Sequence, residues 1–167
     1  VLKSPDGRPG QAYFSSRKLS PQTIVKYGLG YAPAGWNTLR DYLKSKGFSY
    51  EQMYEAGLVN KSPKGSYYDA FRNRVVFPIV DLRKNVIGFG GRVLDDSKPK
   101  YLNTNDTPVF KKSRNLFSLN FAKNKIENGR LILAEGYMDV IAVNQAGFEN
   151  VVATLGTALT PEQARLI

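Results

Sequence analysis

LILAEGYMDVIAVNQAGFENVVATL, residues 131–155, says most about the architecture of this chain. It opens with a continuous apolar run at 131–134 and continues with a helix-forming segment at 138–145. A second apolar run follows at 151–155, and Thr160 is a typical N-cap for one more helix. Apolar strands that alternate with helices predict a β-α-β-α unit in which helices cover a parallel sheet.

Two acids, Glu135 and Asp139, follow the first apolar strand. Ligands of such sheets gather at the carboxyl ends of the strands, so both carboxylates are candidates for one crevice. Gly136 between them has no side chain, so a substrate or metal ion can approach the backbone of this turn closely. The functional interpretation is a catalytic site for Mg²⁺ or Mn²⁺, in which the ion neutralises charge on phosphate oxygens. The alternative is that both acids only favour the N-terminus of a helix.

The loop after the second strand is the other candidate at this edge. It offers Gly156 and the hydroxyl of Thr157 beside free backbone N–H groups, as an anion-binding turn does. An ordinary β-α loop that ends in an N-cap is the alternative.

The composition of the 167 residues limits the chemistry. Without cysteine or histidine the chain forms no disulfide, has no thiol nucleophile, and offers zinc only carboxylates, which is uncommon. No apolar run approaches the roughly 18 residues of a membrane span, and the start is no signal peptide, so we expect a cytoplasmic protein without a membrane partner. Because the chain opens on Val1 and stops at Ile167, we expect a fragment.

The formal charge of +10 is unevenly distributed. Residues 1–129 carry +12 and residues 130–167 carry −2. This asymmetry favours a basic surface that binds a polyanion beside a compact acidic site. A solvated basic surface without a ligand is the alternative.

Residues 1–129 form the predicted basic N-terminal subdomain, and residues 130–167 the partial α/β domain. Short helices are expected after Ser20, from Thr38 and after Ser49, followed by a hairpin and a short strand at 100–103. The hairpin strands are predicted at 74–81 and 85–93, with Pro78 on an edge strand or at a bulge. The glycines of 88–91 are not followed by a helix, as a nucleotide-binding glycine loop would be. A bulge explains them better, or a strand without side chains that a nucleic-acid backbone can approach closely.

Basic residues recur around this predicted sheet, with aromatic residues between them. Single-strand grooves combine cations that follow phosphates with aromatic rings that stack on bases. The alternative is that the aromatics belong to the core and the cations are solvated. The basic residues are Arg72, Arg74, Arg92, Lys98, Lys100, Lys111, Lys112 and Arg114, and the aromatic residues are Tyr101, Phe110 and Phe117.

Taken together, these stretches resemble the catalytic core of bacterial replicative DNA primases of the DnaG type. The residues that carry the resemblance are FRNRVVFPI (71–79), VIGFGGR (86–92), PKYLN (99–103), FKKSR (110–114), EGYMDV (135–140) and ATLGT (153–157), with RKLS (17–20) in addition. Six motifs in the same order across most of the chain are far more specific than any one of them.

The resemblance implies an α+β fold: a mixed helix and β-hairpin basic subdomain, then the first β-α-β-α part of a TOPRIM parallel sheet. It implies metal-assisted nucleotidyl transfer by a DNA-dependent RNA polymerase that makes short RNA primers on single-stranded DNA. Glu135 and Asp139 match the family's metal-binding acids. Arg17, Arg92, Lys100 and Lys112 match its basic track for template and incoming ribonucleoside triphosphate, and Asn103 lies in a matching motif.

The resemblance also implies parts that this stretch lacks. In the family a third TOPRIM strand with an Asp-x-Asp motif would follow Ile167, zinc is held by a separate N-terminal domain, and a C-terminal domain binds the replicative helicase. We therefore expect a nucleoid-associated bacterial parent that handles an RNA–DNA hybrid, and an inactive fragment. The alternatives are a non-catalytic single-strand-binding module with a degenerate TOPRIM half, or a TOPRIM nuclease or topoisomerase, against which the basic block 72–114 argues.

Overall fold

The computed structural model describes residues 1–126, 128–156 and 158–167. Its strands are β1 Gly30–Ala32, β2 Val59–Lys61, β3 Tyr67–Asp69, β4 Arg74–Val80, β5 Val86–Val93, β6 Tyr101–Asn103, β7 Leu116–Phe117, β8 Ile132–Ala134 and β9 Val151–Thr154. Its α-helices are α1 Arg8–Ser16, α2 Pro21–Lys26, α3 Thr38–Ser45, α4 Tyr50–Glu55, α5 Leu119–Ala122, α6 Tyr137–Gln145 and α7 Pro161–Ala164, with 3₁₀ turns at Pro5–Gly7, Lys112–Arg114 and Lys123–Lys125.

The predicted hairpin forms the centre of an antiparallel sheet with strand order β1-β4-β5-β6. β4 is therefore not an edge strand, but β1 pairs with it only over Arg74–Val76, so Pro78 lies where that side has no partner strand. The pairing of β4 with β5 shifts register between Ile79 and Val80, just beyond the proline. The prediction of an edge strand or a bulge at Pro78 is therefore met in part: β4 is a central strand, but Pro78 is unpaired on the β1 side and the register shift lies just beyond it.

The second sheet contains the predicted parallel pair. β8 and β9 run parallel, with Ile132 opposite Val151, and α6 connects them. β7 pairs with the other side of β9 in the antiparallel direction, so the sheet has the order β7-β9-β8 and is mixed. β8 lies at an edge and leaves Leu133 49% exposed, although a continuous apolar run usually indicates a buried strand.

The predicted capped helices are present. Ser20, Ser49 and Thr160 accept hydrogen bonds from the backbone N–H three residues on, and Ser49 and Thr160 complete capping boxes. α3 differs, because the side chain of its N-cap residue, Asn37, makes no capping hydrogen bond. The buried carboxylate of Asp69 replaces it, accepting from the N–H groups of Leu39 and Arg40 at 2.7 and 2.8 Å.

One apolar core joins the two predicted units. Phe14 of α1, Phe77 of β4 and Val140 of α6 are all fully buried in it. A smaller cluster joins Leu116, Leu119, Ala122 and Val152 under α5. No helix within the described residues is both long enough and apolar enough to cross a membrane.

Candidate nucleic-acid and metal site

Helix α1, which the sequence patterns did not predict, carries two residues of the candidate site. It packs closely against β1, since a Cβ atom on Gly10 would lie 2.7 Å from Cβ of Tyr31. Its inner face buries Phe14, its last turn carries Tyr13, and Arg17 follows as its C-cap residue. The helix therefore brings the Arg17 side chain to the sheet that holds the predicted basic residues.

Two arginines meet the ring of Tyr13. The guanidinium carbon of Arg92, on β5, lies 4.7 Å from the ring centroid, and that of Arg17 lies 5.4 Å away. Arg92 is also directly opposite Tyr101 of β6 in the sheet register. We call Tyr13, Arg17, Arg92 and Tyr101 the Tyr13 cluster; it unites residues from α1, β5 and β6.

The predicted acidic residues lie at the carboxyl end of β8 and in the first turn of α6. Glu135 and Asp139 are both exposed, and among the described residues neither carboxylate has a hydrogen-bond or ion-pair partner. A Cβ atom on Gly136 would lie 3.6 Å from an oxygen of Asp139, an ordinary contact. The carboxylates are thus open to a ligand, while the spacing alone does not require the glycine.

Asp139 and the Tyr13 cluster are close enough to interact electrostatically. Burial raises the pKa of the Tyr101 hydroxyl, Tyr13 and Asp139 raise it further, and Arg92 and Arg17 act in the opposite direction. The structure therefore places one predicted acid beside the predicted basic track, although the two are far apart in the sequence.

The donor set suits a hard cation only in part. Among the described residues no group of three or more aspartate or glutamate side chains is placed to hold a metal ion. Mg²⁺, however, usually keeps several waters and takes one or two carboxylates together with phosphate oxygens of a substrate. Glu135 and Asp139 fit that mode of binding.

Asn103 joins the two units instead of facing solvent. Its side-chain N–H donates to the Leu155 carbonyl at 2.7 Å, and its oxygen accepts from the Tyr137 hydroxyl at 2.6 Å. Tyr137 is buried, which raises the pKa of its hydroxyl, and its ring stacks on Phe77 at 5.1 Å. The predicted role of Asn103 in binding nucleic acid stays a prediction; its contacts here position the start of α6.

Arg74 lies in the interior. It is 6% exposed, and its guanidinium donates to the carbonyls of Pro99 and Lys100 at 2.8 and 3.3 Å. Burial lowers the pKa of this guanidinium, and the nearby charge of Arg72 adds to that effect. These contacts hold the loop before β6 and leave the Arg74 side chain turned away from solvent.

Arg72 takes part in a second surface that sequence reasoning missed. Its guanidinium carbon lies 4.1 Å from the ring centroid of Trp36 and 5.2 Å from that of Tyr68, and it donates a hydrogen bond to the Asp69 carbonyl. Trp36, the only tryptophan of the chain, is 61% exposed. We call Trp36, Tyr68 and Arg72 the Trp36 surface. A groove of about 460 Å³ extends from Tyr68 to Asn103.

Most of the remaining predicted residues are exposed. Lys100 and Arg114 are exposed, Lys112 is half-buried, and Gly156 is exposed with free space around it. Thr157, the last candidate of the predicted anion loop, lies outside the described residues. Of the three interleaved aromatics, Phe110 and Phe117 are buried, as the core alternative held, and only Tyr101 is substantially exposed, at 45%.

Comparison with known proteins defines the class. A model described as the DNA primase catalytic core, N-terminal domain, matches residues 1–123, and one described as the Toprim domain matches residues 129–167. A DNA primase of Clostridium acetobutylicum is 52% identical over 155 residues, which are 93% of this chain and 26% of that protein. The chain thus spans about a quarter of the length of the curated relatives it matches.

Solved structures agree in fold. The RNA polymerase domain of the Mycobacterium tuberculosis primase, in complex with double-stranded DNA that has a 6-nucleotide overhang, matches with a TM-score of 0.90 at 37% identity, over 99% of this chain and 53% of that one. A DnaG primase catalytic domain bound to single-stranded DNA matches with a TM-score of 0.88 at 41% identity, over 99% and 54%.

The chain is thus built as a basic α+β unit followed by the first part of a TOPRIM sheet, the predicted fold class. It belongs to the DnaG-type bacterial DNA primase family, as its sequence motifs indicated. Proteins of this family generally use divalent metal ions.

Proposed function

We propose that this chain is part of a DNA-dependent RNA polymerase that synthesises short RNA primers on single-stranded DNA. The observation that carries the proposal is the juxtaposition of Asp139 with Arg17 and Arg92 around Tyr101. One acid that suits a metal ion and two cations that suit phosphates are then near the same tyrosine. Nucleotidyl transfer needs both, because charge develops on the phosphate oxygens of the triphosphate during the reaction.

Each group has a defined part in this proposal. Glu135 and Asp139 would hold Mg²⁺ or Mn²⁺, which supplies charge neutralisation at the phosphates. Arg17 and Arg92 bind and orient the phosphate groups of the incoming ribonucleoside triphosphate. Lys100, Lys112 and Arg114 continue the basic track, and Gly156 and Thr157 remain the candidates for an anion-binding turn.

The template strand follows the Trp36 surface in this proposal. A planar exposed ring stacks on bases whatever their sequence, and a guanidinium held against it offers positive charge to the adjacent phosphate. The groove continues from Tyr68 along the sheet to Leu102 and Asn103 of β6. Relatives of this fold have been solved with single-stranded DNA and with a DNA duplex that has an overhang.

Other parts of the proposal concern the parent protein. We infer that the division at residue 129 separates a basic template-binding unit from a catalytic TOPRIM unit, although one core spans both. We also propose an RNA–DNA hybrid as product, a replicative helicase as partner, zinc in a separate N-terminal domain, and a bacterial cytoplasmic, nucleoid-associated location. A nuclease or topoisomerase is not favoured, because a primase-specific N-terminal domain covers residues 1–123.

Primer synthesis from ribonucleotides on single-stranded DNA tests the proposal. In a full-length primase that carries this sequence, Glu135→Gln is expected to lower the rate by roughly a hundredfold or more, the usual cost of a lost transition-state group. The control is Glu51→Gln on α4, which lies outside the acidic pair, the Tyr13 cluster and the groove. Equal activity of Glu135→Gln and parent would overturn the assignment.

The chain by itself is expected to make no primers, because two exposed carboxylates, with no third acid placed beside them among the described residues, should hold Mg²⁺ only weakly. Robust metal-dependent synthesis by residues 1–167 alone would refute that expectation.

A further inference from the structure

The Tyr13 hydroxyl is buried and has no hydrogen-bond partner among the residues that the structure describes. Nε of Arg92 is in the same condition, and the two side chains are in contact, since the Arg92 guanidinium carbon lies 4.7 Å from the Tyr13 ring centroid. Buried polar groups in folded proteins are nearly always hydrogen-bonded, so two orphaned donors in one cluster require an explanation. Leaving a buried donor unpaired costs roughly 1–3 kcal/mol.

The surroundings indicate which partner would satisfy both groups. Nε of Arg92 can only donate, and the Tyr13 hydroxyl can donate as well. The guanidinium groups of Arg92 and Arg17 add two positive charges next to the ring. An oxyanion accepts hydrogen bonds from both donors and is also attracted by both positive charges. A neutral carbonyl oxygen would form the hydrogen bonds without this attraction.

We propose that Tyr13 is a phosphate-binding residue of this site: its ring holds the Arg17 and Arg92 guanidinium groups in place, and its hydroxyl donates to a phosphate oxygen of the incoming ribonucleoside triphosphate. The inference rests on the proposed function and adds to it a residue that the sequence motifs do not single out. Asp139 is a candidate ligand of the metal ion that would bind the triphosphate, and it is close enough to Tyr101 to interact with it electrostatically. This proximity favours the triphosphate over the template backbone as the source of the phosphate.

The decisive variant is Tyr13→Phe, which keeps the ring and both cation–π contacts and removes only the hydroxyl. In the full-length primase we expect KM for ATP to rise roughly tenfold, as for the loss of a hydrogen bond to a charged group, with kcat nearly unchanged. Binding of a dT12 oligonucleotide is expected to stay at the parental level. The thermal midpoint without nucleotide should be equal or higher, because the variant no longer buries an unpaired hydroxyl.

Matched variants separate the possible outcomes. Tyr42→Phe on α3 also loses a tyrosine hydroxyl beside a lysine, Lys46, and should behave as the parent. Arg92→Gln should raise KM for ATP if the site binds triphosphate at all. A raised KM for Arg92→Gln with a parental KM for Tyr13→Phe overturns this inference alone. Parental values for both variants overturn the triphosphate site as well.

Two further results would count against the inference. Equal weakening of ATP and dT12 binding by Tyr13→Phe assigns the hydroxyl to the template backbone. A fall in kcat together with a lower thermal midpoint assigns it a structural role.

Discussion

At Gly90 a single Cβ atom is enough to disturb the contact between the two units. A Cβ atom there would lie 2.4 Å from the ring of Tyr137, which stacks on Phe77 and cannot easily move. We expect Gly90→Ala to lower the free energy of unfolding by about 1–3 kcal/mol, the range for overpacking a buried site. Urea unfolding followed by circular dichroism measures the change.

Gly30 provides the matched control for that substitution. It also lies in a strand of the same sheet, but nothing stands within 4 Å of where its Cβ atom would be. Gly30→Ala should therefore remain within about 0.5 kcal/mol of the parent. Similar losses for both variants would show that strand glycines, and not the contact with Tyr137, determine the effect.

These glycines also show where prediction from the sequence reached its limit. The absence of a following helix correctly excluded a nucleotide loop at 88–91. The interpretation of a strand left bare for nucleic acid was wrong, because Gly88 faces Phe110, Gly90 faces Tyr137 and Gly91 faces Phe71. Which ring covers a glycine depends on tertiary packing, and a local pattern contains no information about it.

Among the secondary-structure elements, α2 is tied to the TOPRIM unit by charge. Nζ of Lys26 donates to Glu149 and to Asn144, both at 2.8 Å, and the other Glu149 oxygen lies 2.9 Å from Nζ of Lys125. The hydrogen bond from Lys26 and then that from Lys125 lower the pKa of Glu149 to about 2. The loop after α6 is thus held to α2 and to the 3₁₀ turn before β8.

This network predicts an acid-dependent loss of stability. The pKa of Glu149 is lower in the folded protein than its ordinary value of 4.5, so its contribution is complete above that value. It is lost as the pH falls from about 4.5 to about 2, where the carboxylate takes up a proton. Urea unfolding between pH 5 and pH 3 should therefore show a smaller decrease in stability for Glu149→Gln than for the parent.

Glu55→Gln is the control for the acid experiment, because no ion-pair partner of Glu55 occurs among the described residues. It should lose stability over that interval as the parent does. Parallel pH profiles for Glu149→Gln and the parent would contradict the assigned role.

Helices were predictable where a cap marks them, and strands where they are long. Ser20, Ser49 and Thr160 identified three helices correctly. Strands of two or three residues contain too few positions for an alternating pattern: β6 and β8 were predicted, whereas β1, β2, β3 and β7 were not. α3 shows the other limit, because its cap comes from Asp69, thirty residues further along the chain.

For the molecule as a whole, the charge asymmetry was the most informative feature of the sequence. The exposure of individual side chains was the least predictable property. The excess of cations in 1–129 predicts a basic surface, yet it could not separate buried Arg74 from exposed Lys100. Trp36 was equally hidden from sequence reasoning, because tryptophan is usually well buried and only the fold shows that this one is open. The candidate DNA-binding surface therefore combines positive charge, which the composition reveals, with an exposed ring for base stacking, which only the structure reveals.

That combination predicts two separable effects on single-stranded DNA binding. If about four cations of the basic track neutralise phosphates, the slope of log K against log salt is about −3, and affinity falls roughly fiftyfold between 50 and 200 mM salt. Lys100→Gln should make the slope shallower by about 0.7, since one phosphate contact is lost. Trp36→Ala should weaken binding by about 1–3 kcal/mol with the slope unchanged, since stacking releases no ions.

Fluorescence anisotropy of a labelled dT12 oligonucleotide over a salt series measures both effects. Lys84→Gln is the control, because the β4–β5 turn lies about 25 Å along β5 from Arg92 at the usual strand rise. It should leave both slope and affinity at the parental values, apart from a small effect of net charge. A salt-independent affinity of the parent would contradict the basic track, and a changed slope for Trp36→Ala would show that the tryptophan positions cations instead of stacking on bases.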